Sequence, residues 1–140
     1  MKATCIRESY HVYPLKPGDV VEYEMTNDGD IRVPDISTRF SYATFHAFFR
    51  PEGIENMTNR EFNDKLWKAY RADTALDERG KFTVQSIVDR TISYDDKNII
   101  CSIEHRTGNI RVSFNYGPWE LFTNYGEAFM AICGHKWREV

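Results

Sequence analysis

Cysteine is scarce in this chain and follows no pattern. There are three residues, Cys5, Cys101 and Cys133, an odd number without Cys-x-x-Cys spacing. Disulfide scaffolds and zinc sites of familiar spacing are therefore disfavoured, and three reduced, mostly buried thiols are the expectation. Long apolar runs are missing as well. No stretch approaches the roughly 18 uncharged apolar residues of a membrane span. The opening MKATCIRESY has no apolar h-region of the kind a signal peptide needs. A cytoplasmic protein without a membrane segment is expected. Positive charge is not in excess either: 18 basic and 21 acidic residues are interspersed, for a net charge of −3. That balance lacks the general electrostatic footprint of a nucleic-acid binder.

The specific catalytic motifs are also absent: no glycine-rich phosphate loop, no nucleophile-elbow serine and no paired-histidine zinc motif. The stretch TNDGD, Thr26 to Asp30, shares acidic letters with a calcium loop but lacks its spaced carboxylates and terminal Glu. A hairpin turn accounts for it better. Cys133 and His135 are too close for the usual zinc pairs. Cys101 or Cys133 could serve as a nucleophile only with a distant His, and a buried free thiol is the simpler reading. No metal and no cofactor is expected, and the balance leans against an enzyme.

Aromatic residues are what the chain has in abundance: nine Phe, eight Tyr and three Trp. Aromatics bury large areas and dominate binding hot spots, so they fit a dense core, a recognition surface or both. With 41% hydrophobic and 28% charged residues, the 140-residue chain reads as one globular α+β domain, 1–140, rather than as a disordered segment.

Alternation and turn signals supply the elements. Ile6, Tyr10 and Val12 share parity in an extended run closed by Pro14. Lys16 to Asp19 is a turn, with Gly18 free to take positive φ. Val21, Tyr23 and Met25 then alternate with Glu22 and Glu24 as a half-buried strand. A two-residue loop at Asp28-Gly29 would put charge and core on one face. A three-residue loop, Asn27 to Gly29, instead pairs Met25 with Ile31, Tyr23 with Val33 and Glu24 with Arg32, with Gly29 in a left-handed bulge position. The pattern GDIRV returns as GNIRV at Gly108 to Val112. Closing that hairpin at Thr107-Gly108 pairs His105 with Ile110, Ile103 with Val112 and Cys101 with Phe114. The opposite face, taken as exposed, sets Glu104 against Arg111 and Ser102 against Ser113. A strand from Phe82 to Tyr94 precedes it. Closure at Asp96-Lys97 pairs Tyr94 with Ile99 and Ile92 with Cys101, which completes a three-stranded meander over 82–116.

Thr58 and Glu61 stand in capping-box spacing before an apolar stripe of Phe62, Leu66, Ala69 and Tyr70, so a helix over 59–77 is expected, with Gly80 as its stop. Ser41 is positioned to cap a short helix that ends before Pro51, and the balance leans to that helix, although the aromatics of the stretch also suit a strand. A third helix is read from Pro118 through Leu121, Tyr125, Phe129 and Ile132 to a stop at Gly134. The expected fold is one antiparallel sheet of five or six strands, the N-terminal hairpin and the meander together, packed against two or three helices.

Trp67 lies beside the apolar stripe of the 59–77 helix, with Arg60, Lys68 and Arg71 nearby. Trp and Arg together suit a protein-binding face, although an ordinary amphipathic helix with Trp67 at the core edge is the simpler reading. His46 sits among Tyr42, Phe45, Phe48 and Phe49, and His105 falls on the apolar face of its hairpin. Either could act as a general base in a pocket, or could simply be a core imidazole. The leading reading is a small cytoplasmic, non-catalytic protein that binds another macromolecule, a protein rather than nucleic acid. That is the profile of an accessory or inhibitor protein such as a phage or other mobile element encodes. The alternative is a ligand-binding domain or small enzyme with a pocket between sheet and helices, using His46 or His105. The third reading is nucleic-acid binding through the helix at 59–77. Exposed strand edges would also permit a homodimer.

Overall fold

The first part of the chain is cut into short elements because turn-forming residues recur between its apolar pairs. The computed structural model describes residues 1–69, 71–73, 87–94, 97–106 and 109–138. The chain is α+β, with three α-helices and three antiparallel sheets among the described residues. Its contacts cluster into two compact units, Met1–Ile54 with Met130–Val140, and Glu55–Phe129.

In the first unit, β1 (Lys2–Cys5) pairs with β2 (Val20–Glu22). The extended run expected to reach Pro14 stops at Cys5. Ser9 caps a single 3-10 turn, Tyr10–Val12, by accepting the His11 amide at 3.2 Å. This local hydroxyl–backbone bond competes with strand pairing and wins here. The turn at Lys16 to Asp19 closes as expected: the Asp19 amide donates to the Lys16 carbonyl at 3.0 Å, and Gly18 has φ +99°.

The strand read over 20–25 splits at Tyr23. Its ring lies 4.8 Å from Phe45, and β3 (Glu24–Met25) leaves β2 to join β4 (Ile31–Val33) and β5 (Thr38–Phe40). One apolar run therefore feeds two three-stranded sheets, β2-β1-β6 with β6 at Phe49–Pro51, and β3-β4-β5, and the hairpin is not part of a single large sheet. Two of the three expected hairpin pairs form, while Tyr23, expected opposite Val33, instead donates its amide to the Met1 carbonyl at 2.8 Å. Met25 pairs with Ile31 and Glu24 with Arg32, and Gly29 sits at φ +89°. Met25 is exposed, however, so the apolar face is carried by Ile31 and Val33.

Ser41 caps α1 (Tyr42–Phe48), its hydroxyl accepting the Thr44 amide at 3.3 Å. The helix hands over directly to β6 (Phe49–Pro51), which pairs with β1. Phe45, Phe48 and Phe49 are fully buried, and each would cost about 3–5 kcal/mol on truncation to Ala.

In the second unit, Thr58 opens α2 (Asn59–Ala69). Its hydroxyl accepts the Glu61 amide and donates to the Glu61 carboxylate, both at 3.2 Å. Phe62 and Leu66 are buried as their spacing demands. The helix ends at Ala69 instead of running to 77. Arg71–Asp73 forms β7, paired with Thr91 to Ser93 of β8 (Ile87–Tyr94). Asp73 is a poor helix former, and the edge of β8 offers the same backbone an alternative set of partners. The proposed stop at Gly80 and the strand start at Phe82 lie outside the described residues, as do Asp95-Asp96 and the Thr107-Gly108 turn.

A five-stranded sheet follows, ordered β11-β10-β9-β8-β7, with β9 at Lys97–Arg106, β10 at Asn109–Phe114 and β11 at Glu120–Phe122. The β9–β10 register matches the sequence reading at every expected pair. The β8–β9 register is displaced by two residues: Ile92 pairs with Ile99 and Tyr94 with Lys97. An even displacement preserves which side chains share a face, so the hydrophobic pattern alone cannot exclude it.

The last helix, α3 (Tyr125–Arg138), starts later than expected, because Asn124 caps it by accepting the Glu127 amide at 2.9 Å. Pro118 and Leu121 thus lie outside it. Gly134 lies inside it and stops nothing: it is buried where an added Cβ would come within 3.1 Å of the Arg7 guanidinium. Close approach of two chain segments, not termination, explains that glycine.

Candidate functional site

Of the residues singled out from sequence, His46 belongs to the first unit and Arg60, Trp67, Lys68, Arg71 and His105 to the second. His46 is buried on α1. Its Nδ1 donates to the Tyr42 carbonyl at 2.8 Å, and the ring packs on Tyr42 and Phe45. A carbonyl oxygen only accepts, so Nδ1 carries the proton, and the imidazole is bonded into its own helix. Arg60 and Lys68 are exposed on α2, two turns apart, with exposed Asp64 between them. They line up at i, i+4 and i+8, with alternating sign. Trp67 lies on α2, Arg71 on β7 and His105 on β9, and their side chains are outside the described set.

The thiols of Cys5, Cys101 and Cys133 are buried and not bridged. The Cys5 thiol donates to the Arg7 carbonyl at 3.4 Å, and burial pushes its pKa up, so it is held as a thiol and not as a nucleophilic thiolate. Among the described residues no three His, Cys, Asp or Glu side chains converge so as to hold a metal ion. No described helix is long and apolar enough to cross a membrane.

An open cleft of 330 Å³ on the β4–β5 surface is lined by Arg32, Pro34, Ser37, Thr38 and Arg39. Arg32 and Arg39 are direct cross-strand neighbours, an arrangement of like charges that repels. Carboxylates relieve it: Glu24 pairs with Arg32, and Asp28 and Asp30 pair with Arg39. A hydrogen bond from the Thr26 hydroxyl, with further help from the backbone and Arg39, holds the Asp28 carboxyl below the usual range. The cleft is a charge-compensated surface of a hairpin.

The second unit carries a different surface. After Phe114 the chain makes a turn in which Asn115 and Tyr116 both take left-handed conformations, φ 51° and 61°. The turn is closed by the Gly117 amide donating to the Phe114 carbonyl at 2.9 Å, and the buried Ser113 hydroxyl donates to the Gly117 carbonyl at 2.6 Å. Asn tolerates this conformation, whereas for Tyr it costs on the order of 1–2 kcal/mol. The fold nevertheless holds the Tyr116 side chain outward, 74% exposed. Three residues on, Trp119 is 41% exposed, with the Arg111 guanidinium 5.2 Å from its ring centroid.

Leu121, at the centre of β11, is 68% exposed and lies directly opposite Arg111. Arg111 is anchored from beneath by an ion pair to Glu104, whose side chain is 4% exposed. Glu104, Arg111 and Trp119 thus form a stack that is dry at one end and wet at the other. β11 is an edge strand, bonded in its sheet to β10 alone among the described strands. A strained tyrosine, an Arg-backed tryptophan and an outward leucine beside a strand edge can do one kind of work without further groups: they can bury apolar area against another chain.

Sequence reasoning located the Trp–Arg combination on α2 and missed the one at Trp119. Pro118 resembles a first-turn helix residue, and that reading absorbed Trp119 and Leu121 into a helix. The cluster Asn115-Tyr116-Gly117-Pro118 was the available turn signal. No protein-family model, no curated protein and no solved structure matches this chain.

Proposed function

We propose that this chain is a non-catalytic protein that binds another protein, and that the partner docks on the aromatic edge formed by Tyr116, Trp119 and Leu121 with Arg111. The observation that carries this reading is the backbone of Tyr116. A fold that maintains a left-handed tyrosine only to expose its ring gains no stability from it. Tyr, Trp and Arg are also the side chains enriched at binding hot spots. Among the described strands β11 is the outer one of its sheet, so an extended segment of the partner can continue the sheet while its side chains cover Leu121 and Trp119.

The test is capture of the partner by the full chain, compared across variants. Tyr116→Ser and Leu121→Ser should remove a specifically recovered protein while leaving the melting temperature nearly unchanged, since both side chains are exposed. Arg60→Ala and Lys68→Ala should leave capture intact. If only the α2 variants lose the partner, the docking face is the helix and the aromatic edge is not the site. If capture survives every one of these changes, neither surface binds it.

A further inference from the structure

We draw no further inference here: the strongest candidate, the exposed tyrosine pair formed by Tyr10, which opens the short 3-10 turn that sets His11 against Trp137, and Tyr13, which follows it, is an aromatic surface patch, and nothing in the structure shows what covers it.

Discussion

In the hairpin built on GDIRV, Arg32 faces Glu24 across β3 and β4 with 56% and 55% of the two side chains in water. In the hairpin built on GNIRV, Arg111 faces Glu104 across β9 and β10 with 35% and 4% exposed. The Arg, the Glu and their cross-strand pairing are the same, and the dielectric surroundings are not. An exposed pair is screened and gives up side-chain freedom, so it is worth about 0–1 kcal/mol. A buried pair is a different object. Removing one partner leaves a desolvated charge, which costs about 3–5 kcal/mol, even where the intact pair adds little over an apolar replacement. A repeated motif therefore fixes geometry, while burial decides what that geometry is worth.

The widest separation between the hairpins should come from Arg111→Ala. It takes the guanidinium away from the buried Glu104 carboxylate and should lower unfolding free energy by about 3 kcal/mol in urea titration. The double change Arg111→Met with Glu104→Leu, an apolar replacement of the pair, should recover most of that loss. A loss below about 1 kcal/mol for the single change would mean that water reaches Glu104, and the two hairpins would then be equivalent.

Alkaline unfolding gives the next largest effect and asks whether the second unit is dry elsewhere. Tyr125 packs 5.2 Å from Phe62, and burial pushes its pKa up to about 12 from an ordinary value of 10.0. The raised value means that the fold favours the neutral phenol. Its contribution is complete below pH 10 and is lost as pH rises towards 12, by about 2–3 kcal/mol at most. Tyr125→Phe should flatten stability across that window. An unchanged slope would show that Tyr125 ionises as freely in the folded chain as in the unfolded one.

The smallest effect belongs to the first hairpin. Arg32→Ala should cost no more than about 1 kcal/mol, and the difference should shrink in about 1 M salt, where screening acts within ~3 Å. A salt-independent loss of several kcal/mol would place this pair in the same class as the buried one.

Both hairpin registers were legible because each placed an apolar set on one face, and a slip by one residue would have reversed it. What stayed illegible was of three physical kinds. Parity cannot detect an even displacement, as at Ile92 and Ile99. Short-range capping by Ser9 and Asn124 moved element boundaries that periodicity had drawn elsewhere. Burial of the second face of a strand pair depends on what packs there, and so Glu104 was assigned to water when it lies out of it. The aromatic edge was hidden for a related reason. Tyr116, Trp119 and Leu121 are apolar side chains, whose usual place is the core, and nothing in their spacing marks them as exposed.

The most direct test of the account is the substitution Tyr116→Gly, measured for stability and for partner capture on the same full chain. Glycine accepts a φ of 61° without steric cost, so relief of strain should raise unfolding free energy by about 1 kcal/mol. Loss of the ring should at the same time weaken capture at the aromatic edge. A variant that is more stable and binds less would show a side chain kept for recognition at the expense of the fold. A variant that is less stable, with capture unchanged, would show that Tyr116 supports the structure and would contradict the assignment of the site.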